Sequence, residues 1–336
     1  MNPAPDIETT ENEIEAQMPW SRVVAVVLGI TTLLALVLIA FAWPNISSEP
    51  RSVPVVVAGP EQAVTMLDQG LAEALGEDAL DLETVADADA AEGAILDREA
   101  YGAIILGSAG GELLTASAAS PAVAQVLQQI AAVVPEETGG PLPMRDVVPL
   151  PGDDPRGVGL TSAVLPLVMG GIIAGAVSSL LLCTRGRQLV TVLGIAGAGA
   201  LVFTGILQGW MGSLAGSYWA NAAVLALGIS AIALSMVGLF RLLGRPGIVL
   251  VVLTMMLLGN PLSGAGSAPE MLPAGWGEFG QLLPPGATVT ALRSVAFFDG
   301  AGSGLAWTVL GAWGVVGLCL ILFTRNRQNS VSAPER

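Results

Sequence analysis

The sequence has no lysine, no histidine and only two cysteines among its 336 residues. Without lysine the phosphate-binding loop G-x-x-x-x-G-K-[ST] cannot form, so no ATP hydrolysis by that route, and no enzyme activity, is expected of this chain alone. Without histidine the commonest metal ligand and the base of a Ser-His-Asp arrangement are both gone. No catalytic, cofactor or metal site is therefore expected. The acidic pairs Glu77/Asp78, Glu136/Glu137 and Asp153/Asp154 lack calcium-loop spacing and read as solvated surface. Gly107, Gly110 and Gly111 read as a turn between strands rather than a phosphate cradle. Cys183 and Cys319 fall at the ends of apolar spans and read as reduced and inert.

Charge is scarce and one-sided. Charged residues make up 12% of the chain, with 28 acidic residues against 13 basic, for a net charge of −15. Clustered basic residues, which a phosphate backbone requires, are missing, so no nucleic-acid partner is expected. The apolar spans carry no ionisable residue in their cores, which argues against an ion-coupled antiporter, because coupling needs a group that changes charge along the path.

What the chain does contain is apolar length: 53% of its residues are hydrophobic. Val23–Ala42 is an uncharged run of the roughly 20 residues needed to cross a bilayer. After an acidic segment come Leu160–Leu182, Leu189–Gln208, Ala220–Phe240, Gly247–Leu258 and Gly304–Phe323. The pattern predicts an α-helical polytopic membrane protein with six transmembrane helices, arranged one plus five. A small α/β extracytoplasmic domain is inserted after the first helix. Expected boundaries are 1–22 for an acidic cytoplasmic tail and interfacial segment, 23–43 for the first helix, and 44–157 for the outer domain and its linker. A five-helix membrane domain follows over 158–324, with a re-entrant-like outer loop at 260–303 and a cytoplasmic tail at 325–336. A cleaved leader is the rival reading of the first span, since Ala40-Phe41-Ala42 has the A-x-A form. The run is too long and the preceding tail too acidic for that, so a retained helix is expected.

Arg22, Arg185, Arg187, Arg241, Arg245, Arg325 and Arg327 each lie near a span end. Placing them all on one side gives a multi-pass protein of the plasma membrane with both termini cytoplasmic. Trp20, Trp43, Trp210, Trp219 and Trp307 fall at span ends, where indole rings favour the interface. Gly171-Ile-Ile-Ala-Gly175 with Ser179 offers a small-residue face for helix packing, more simply within the chain than in a dimer.

In the acidic segment, Val53–Ala58 reads as a strand, with a helix entered through Gly59-Pro60-Glu61. A strand near Leu82–Val85, a helix over Ala88–Glu99, strands at Tyr101–Leu106 and Glu112–Ala116, and a helix over Pro121–Val134 follow. Pro135–Pro155 reads as a Pro/Gly-rich linker. Beyond the short fifth span, interrupted at Gly259-Asn260-Pro261, residues 261–303 are too apolar for an ordinary loop. They could dip into the outer leaflet where protein covers the backbone.

Three stretches here carry a resemblance. Leu283-Pro284-Pro285-Gly286-Ala287, Ala291-Leu292-Arg293-Ser294 and Phe297-Phe298-Asp299-Gly300 resemble the end of the outer loop in type-2 ABC exporter permeases, nearest the branch related to the phage infection protein. Asp97-Arg98-Glu99-Ala100-Tyr101-Gly102-Ala103 and Asp153-Asp154-Pro155-Arg156-Gly157 are similar to that branch too. The resemblance implies the membrane subunit of an ATP-driven exporter, substrate unknown. It would be paired as a homodimer or with a second permease in the lipid bilayer and served by a cytoplasmic ATP-binding-cassette ATPase. It also implies an outer-gate loop containing Asn260, Pro261, Pro284, Pro285, Gly286 and Arg293, and an ATPase-coupling turn carrying Arg185 and Arg187. The outer domain lacks the extended coiled stalks of long members, so no phage-receptor role follows. The competing reading is a non-transport membrane protein whose outer domain binds an envelope partner or acts as a scaffold.

Overall fold

The computed structural model describes residues 20–107, 110–133 and 142–324. It divides into two compact units, one ending at Ile46 and the other beginning at Ser47. The first contains α1 (Trp20–Ile46), 27 residues of almost unbroken apolar sequence with Pro44 in its last turn. At 1.5 Å per residue it is about 40 Å long, more than the bilayer core requires.

The second unit opens with the α/β domain. Strands β1 (Val53–Ala58), β2 (Leu80–Val85), β3 (Gly102–Gly107), β4 (Gly110–Thr115) and β5 (Met144–Asp146) form one sheet in the order β2-β1-β3-β4-β5. The pairs β1/β2, β1/β3 and β4/β5 are parallel, and β3/β4 is antiparallel, with Gly107 facing Gly110 at the end of its ladder. Helices α2 (Glu61–Leu75), α3 (Ala88–Leu96) and α4 (Pro121–Val133) supply the crossovers and cover the sheet. Val53, Val55 and Val57 alternate into one core with Leu67, Leu71, Leu113 and Leu127; Val56 and Ala58 point to the other, with Ile95 and Leu114. The strand and helix expectations hold to within a few residues.

The linker expectation does not hold for its described part. Met144–Asp146 is the edge strand, Val147 N–H donates to Thr115 O at 2.7 Å, and Ala118 N–H donates to Val148 O at 3.0 Å. A Pro-rich composition forbids helix more than it forbids an edge strand, whose outer amides need no partner. Glu136 and Glu137 lie outside the described residues. Asp154 is no free surface acid: its carboxylate accepts from Val158 N–H at 2.8 Å and Gly159 N–H at 2.7 Å, capping the helix that follows.

That helix is α5 (Val158–Leu181), followed by α6 (Arg185–Thr204), which runs on as π-helix through Trp210, and by α7 (Tyr218–Leu243). Next come α8 (Arg245–Val251), continuing as π-helix over Val252–Gly259, single 3-10 turns at Pro261–Ser263 and Pro269–Met271, α9 (Trp276–Gln281), α10 (Pro284–Phe297) and α11 (Gly304–Phe323). Five helices among the described residues are long and apolar enough to cross a membrane: α1, α5, α6 with its π extension, α7 and α11. By length and composition they mark a membrane-embedded protein. Arg245–Gly259 is apolar but shorter.

Helix α7 packs against α5, α6, α8, α10 and α11. The Gly171/Gly175 face is spent on this packing: a Cβ on Gly175 would come within 2.5 Å of Met236 Cβ, so no larger residue fits between α5 and α7. Cys183 and Cys319 are free and exposed.

Candidate functional site

The α/β domain is bolted to the segment after Gly259 rather than tethered above it. Glu49 N–H and Arg51 N–H donate to the carbonyls of Met271 and Glu270, at 3.1 and 3.0 Å. Arg51 Nη1 reaches Leu272 O at 3.0 Å, and Ser120 Oγ donates to Ser267 O at 3.0 Å. Ala268 and Met271 complete one apolar core of the domain, and Phe298 the other.

Between the two halves of this joint lies a cavity of about 390 Å³, within the roughly 300–1,000 Å³ span of ligand pockets. Two arginines shape it. Arg98 sits just past the end of α3, where Arg98 N–H bonds Ile95 O and Glu99 N–H bonds Ala94 O. This is a Schellman closure, whose left-handed position normally holds glycine. Arg98 occupies it at φ +61°, a conformation costing a side-chain-bearing residue about 1 kcal/mol. The outcome is a guanidinium aimed across the joint: Arg98 Nη1 donates to Ser294 Oγ at 2.6 Å and to Thr290 O at 3.3 Å, and the group lies 5.3 Å from the centre of the Phe298 ring.

Arg293 comes from α10 on the opposite wall and is 4% exposed. Its Nη2 donates to Ala265 O at 3.1 Å. Burial first, and then the neighbouring charge of Arg98, pull its pKa down to about 10, so at neutral pH it is still a cation. A base lowered in this way carries its desolvation cost at every pH below about 10, and the cost fades only above that. Burial likewise lowers Arg98, offset in part by Tyr101 and Glu270. Tyr101 donates its hydroxyl to Glu270 Oε2 at 2.8 Å, and burial together with that carboxylate pushes the phenol well above its usual range. Among the described residues no carboxylate forms an ion pair with Arg98 or Arg293; the ion pairs are Arg51–Glu49 and Arg145 with Glu92 and Glu112.

Of the residues expected in a gate loop, only Arg293 lines the cavity; the others shape the turns and helix start around it. Asn260 O accepts from Ser263 Oγ at 2.8 Å and starts the turn that Pro261 opens. Pro284 and Pro285 occupy the first turn of α10, where a missing N–H costs nothing. Gly286 lies so close to the Gly280 carbonyl that a Cβ would collide with it. Arg293, further along the same helix, lines the cavity.

At the other end of the bundle, Arg185 and Arg187 are not brought together with a pocket. Arg185 donates to Thr324 O at 3.1 Å, and Arg187 is exposed. The buried element there is one the sequence did not announce. Gln188 is fully buried, donates through Nε2 to Leu182 O at 2.7 Å, and accepts from Arg241 Nη1 at 2.8 Å. It ties the α5–α6 turn to the end of α7.

No group of three or more potential metal ligands occurs among the described residues. No family model matches the chain, and neither a curated protein nor a solved structure matches it. Arg98, Tyr101 and Arg293 each stand in a stretch that the sequence singles out, but Glu270 does not. Its one signal was being an acid in an otherwise apolar segment.

Proposed function

We propose that this chain is the membrane-spanning permease subunit of an ATP-driven exporter, working with a separate cytoplasmic ATPase. The observation that supports it best is the broken apolar segment. Arg245–Gly259 has seven α-helical and eight π-helical residues, about 22 Å even at α-helical rise, less than a bilayer core of roughly 30 Å. In this reading it is the fifth of six crossings, and the Asn260–Phe298 helices finish it on the outer side. Met255, Gly259, Leu262 and Ser263 are buried, so irregular backbone at this depth is covered by protein, as a pathway cap requires. An anchor needs no such element. The termini are cytoplasmic, the α/β domain is outside, and Arg185 and Arg187 form the surface that meets the ATPase.

A scaffold reading is favoured by one observation, the two apolar cores shared between the α/β domain and the outer segment, which hold that domain rigidly. Purification of the tagged chain from native membranes separates the two. Recovery of an ATP-binding-cassette subunit, lost on replacing Arg185 and Arg187 together with Gln, supports transport. Recovery of an envelope protein with no ATPase, or robust ATP hydrolysis by the isolated chain, overturns it. Orientation is tested in a Cys183→Ser, Cys319→Ser background: Glu77→Cys should react with an impermeant thiol reagent in intact cells, and Ser332→Cys should not.

A further inference from the structure

We propose that the cavity between the α/β domain and the α9–α10 segment binds a phosphate-bearing ligand through Arg98 and Arg293, with the ligand's apolar part leaving past Leu282 and Leu305. The inference is independent of the exporter reading, since it needs neither an ATPase nor transport.

Charge is the first argument. Two guanidiniums from opposite walls line one cavity, and neither has a carboxylate ion-pair partner among the described residues. The acid nearest to them in burial, Glu270, holds the Tyr101 hydroxyl. The other acids of the lining, Glu99 and Glu278, are exposed, where water and salt screen them. Glu270 acts on both arginines from nearby but is one carboxylate against two guanidiniums, so positive charge is left in excess at the cavity and an entering anion offsets its desolvation cost. Phosphate suits two forked donors better than a carboxylate does. It offers more oxygens and up to two negative charges, enough for both guanidiniums at once.

Backbone geometry is the second argument. Arg98 takes up a left-handed position that glycine fills without strain, and Gly302 approaches so closely that a Cβ there would lie 2.9 Å from Arg98 Cβ. The fold accepts this strain to aim one side chain across the joint. The third argument is the mouth. Leu282 and Leu305 are exposed, and Leu305 lies in the first turn of α11, a helix long and apolar enough to cross a membrane. The opening therefore sits at the end of a span, where a headgroup can enter while its chains stay beside the helices.

The test uses the purified full chain in detergent, with heat unfolding followed by tryptophan fluorescence. Phosphatidylglycerol in mixed micelles should raise the unfolding midpoint, and diacylglycerol should not. Glycerol phosphate should raise it less at equal phosphate concentration. A rise as large with glycerol phosphate as with the lipid supports the same site with a soluble phosphate ester as its ligand. Arg98→Gln and Arg293→Met should each weaken the effect about 10- to 100-fold in concentration. If Arg293→Met fails to fold, Arg98→Gln and Arg98→Lys carry the comparison. The proposal is overturned if neither phosphate compound moves the wild-type midpoint beyond an ionic-strength-matched chloride control. It is equally overturned if the arginine variants that fold keep the full shift.

Discussion

Arg241 and Arg293 are each 4% exposed, and they are held in opposite ways. Arg241 has one side-chain acceptor, the Gln188 carbonyl oxygen, and Gln188 is itself tied to the Leu182 backbone, while Arg241 Nε is buried without a hydrogen-bond partner among the described residues. Arg293 has one backbone acceptor, looks into a cavity, and shares it with a second arginine. Burial of a charge therefore does not distinguish a brace from a site. What does is what the charge faces: Arg241 is packed against a neighbouring side chain of the bundle, and Arg293 opens onto a cavity.

The sharpest way to break this comparison is Gln188→Leu. It should strand the Arg241 guanidinium and cost about 3 kcal/mol in detergent unfolding, whereas a loss below about 1 kcal/mol would make the pair ornamental. Tyr101→Phe should cost about 1 kcal/mol, measured the same way, because it removes the hydroxyl that holds Glu270 while leaving the ring in place. Arg293→Met, measured without ligand, should stay within about 1 kcal/mol of the parent, since an apolar side chain of similar length replaces a buried charge that has no ion-pair partner among the described residues. A larger loss would place Arg293 with Arg241 as a brace. Smallest of all, Arg145→Gln should leave the unfolding midpoint unchanged, because its partners Glu92 and Glu112 are solvent-exposed pairs.

Long-range meetings separate what the sequence displays from what it hides. The span Gly304–Phe323 is legible to the residue because apolar length is a local property. The β-α alternation of residues 53–133 is legible for the same reason, as turn chemistry and β-branched runs act over a few positions. Strand β5 is missed because Met144-Arg145-Asp146 is three exposed residues with no alternation, defined only by its neighbour β4. The Asp154 cap is missed because an acid before a helix looks the same as one on a surface until the helix amides are located. The cavity is hidden most completely. Arg98 and Ser294 are 196 positions apart, and no periodicity connects them; only the docking of one domain on the other does.

The crowding around α7 has a consequence for the order of synthesis. Its Gly238 face is filled by α11, where Gly317 lies against the Leu234–Ser235 backbone, and Thr288 of α10 presses on Gly228. Both partners are made after α7 has left the ribosome. Until they arrive, the helix that the rest of the bundle is built around holds only α5, α6 and α8, and presents an unfilled seam of small residues to lipid. A chain halted before Gly304 keeps that seam open, which makes the last helix the keystone of assembly rather than its end.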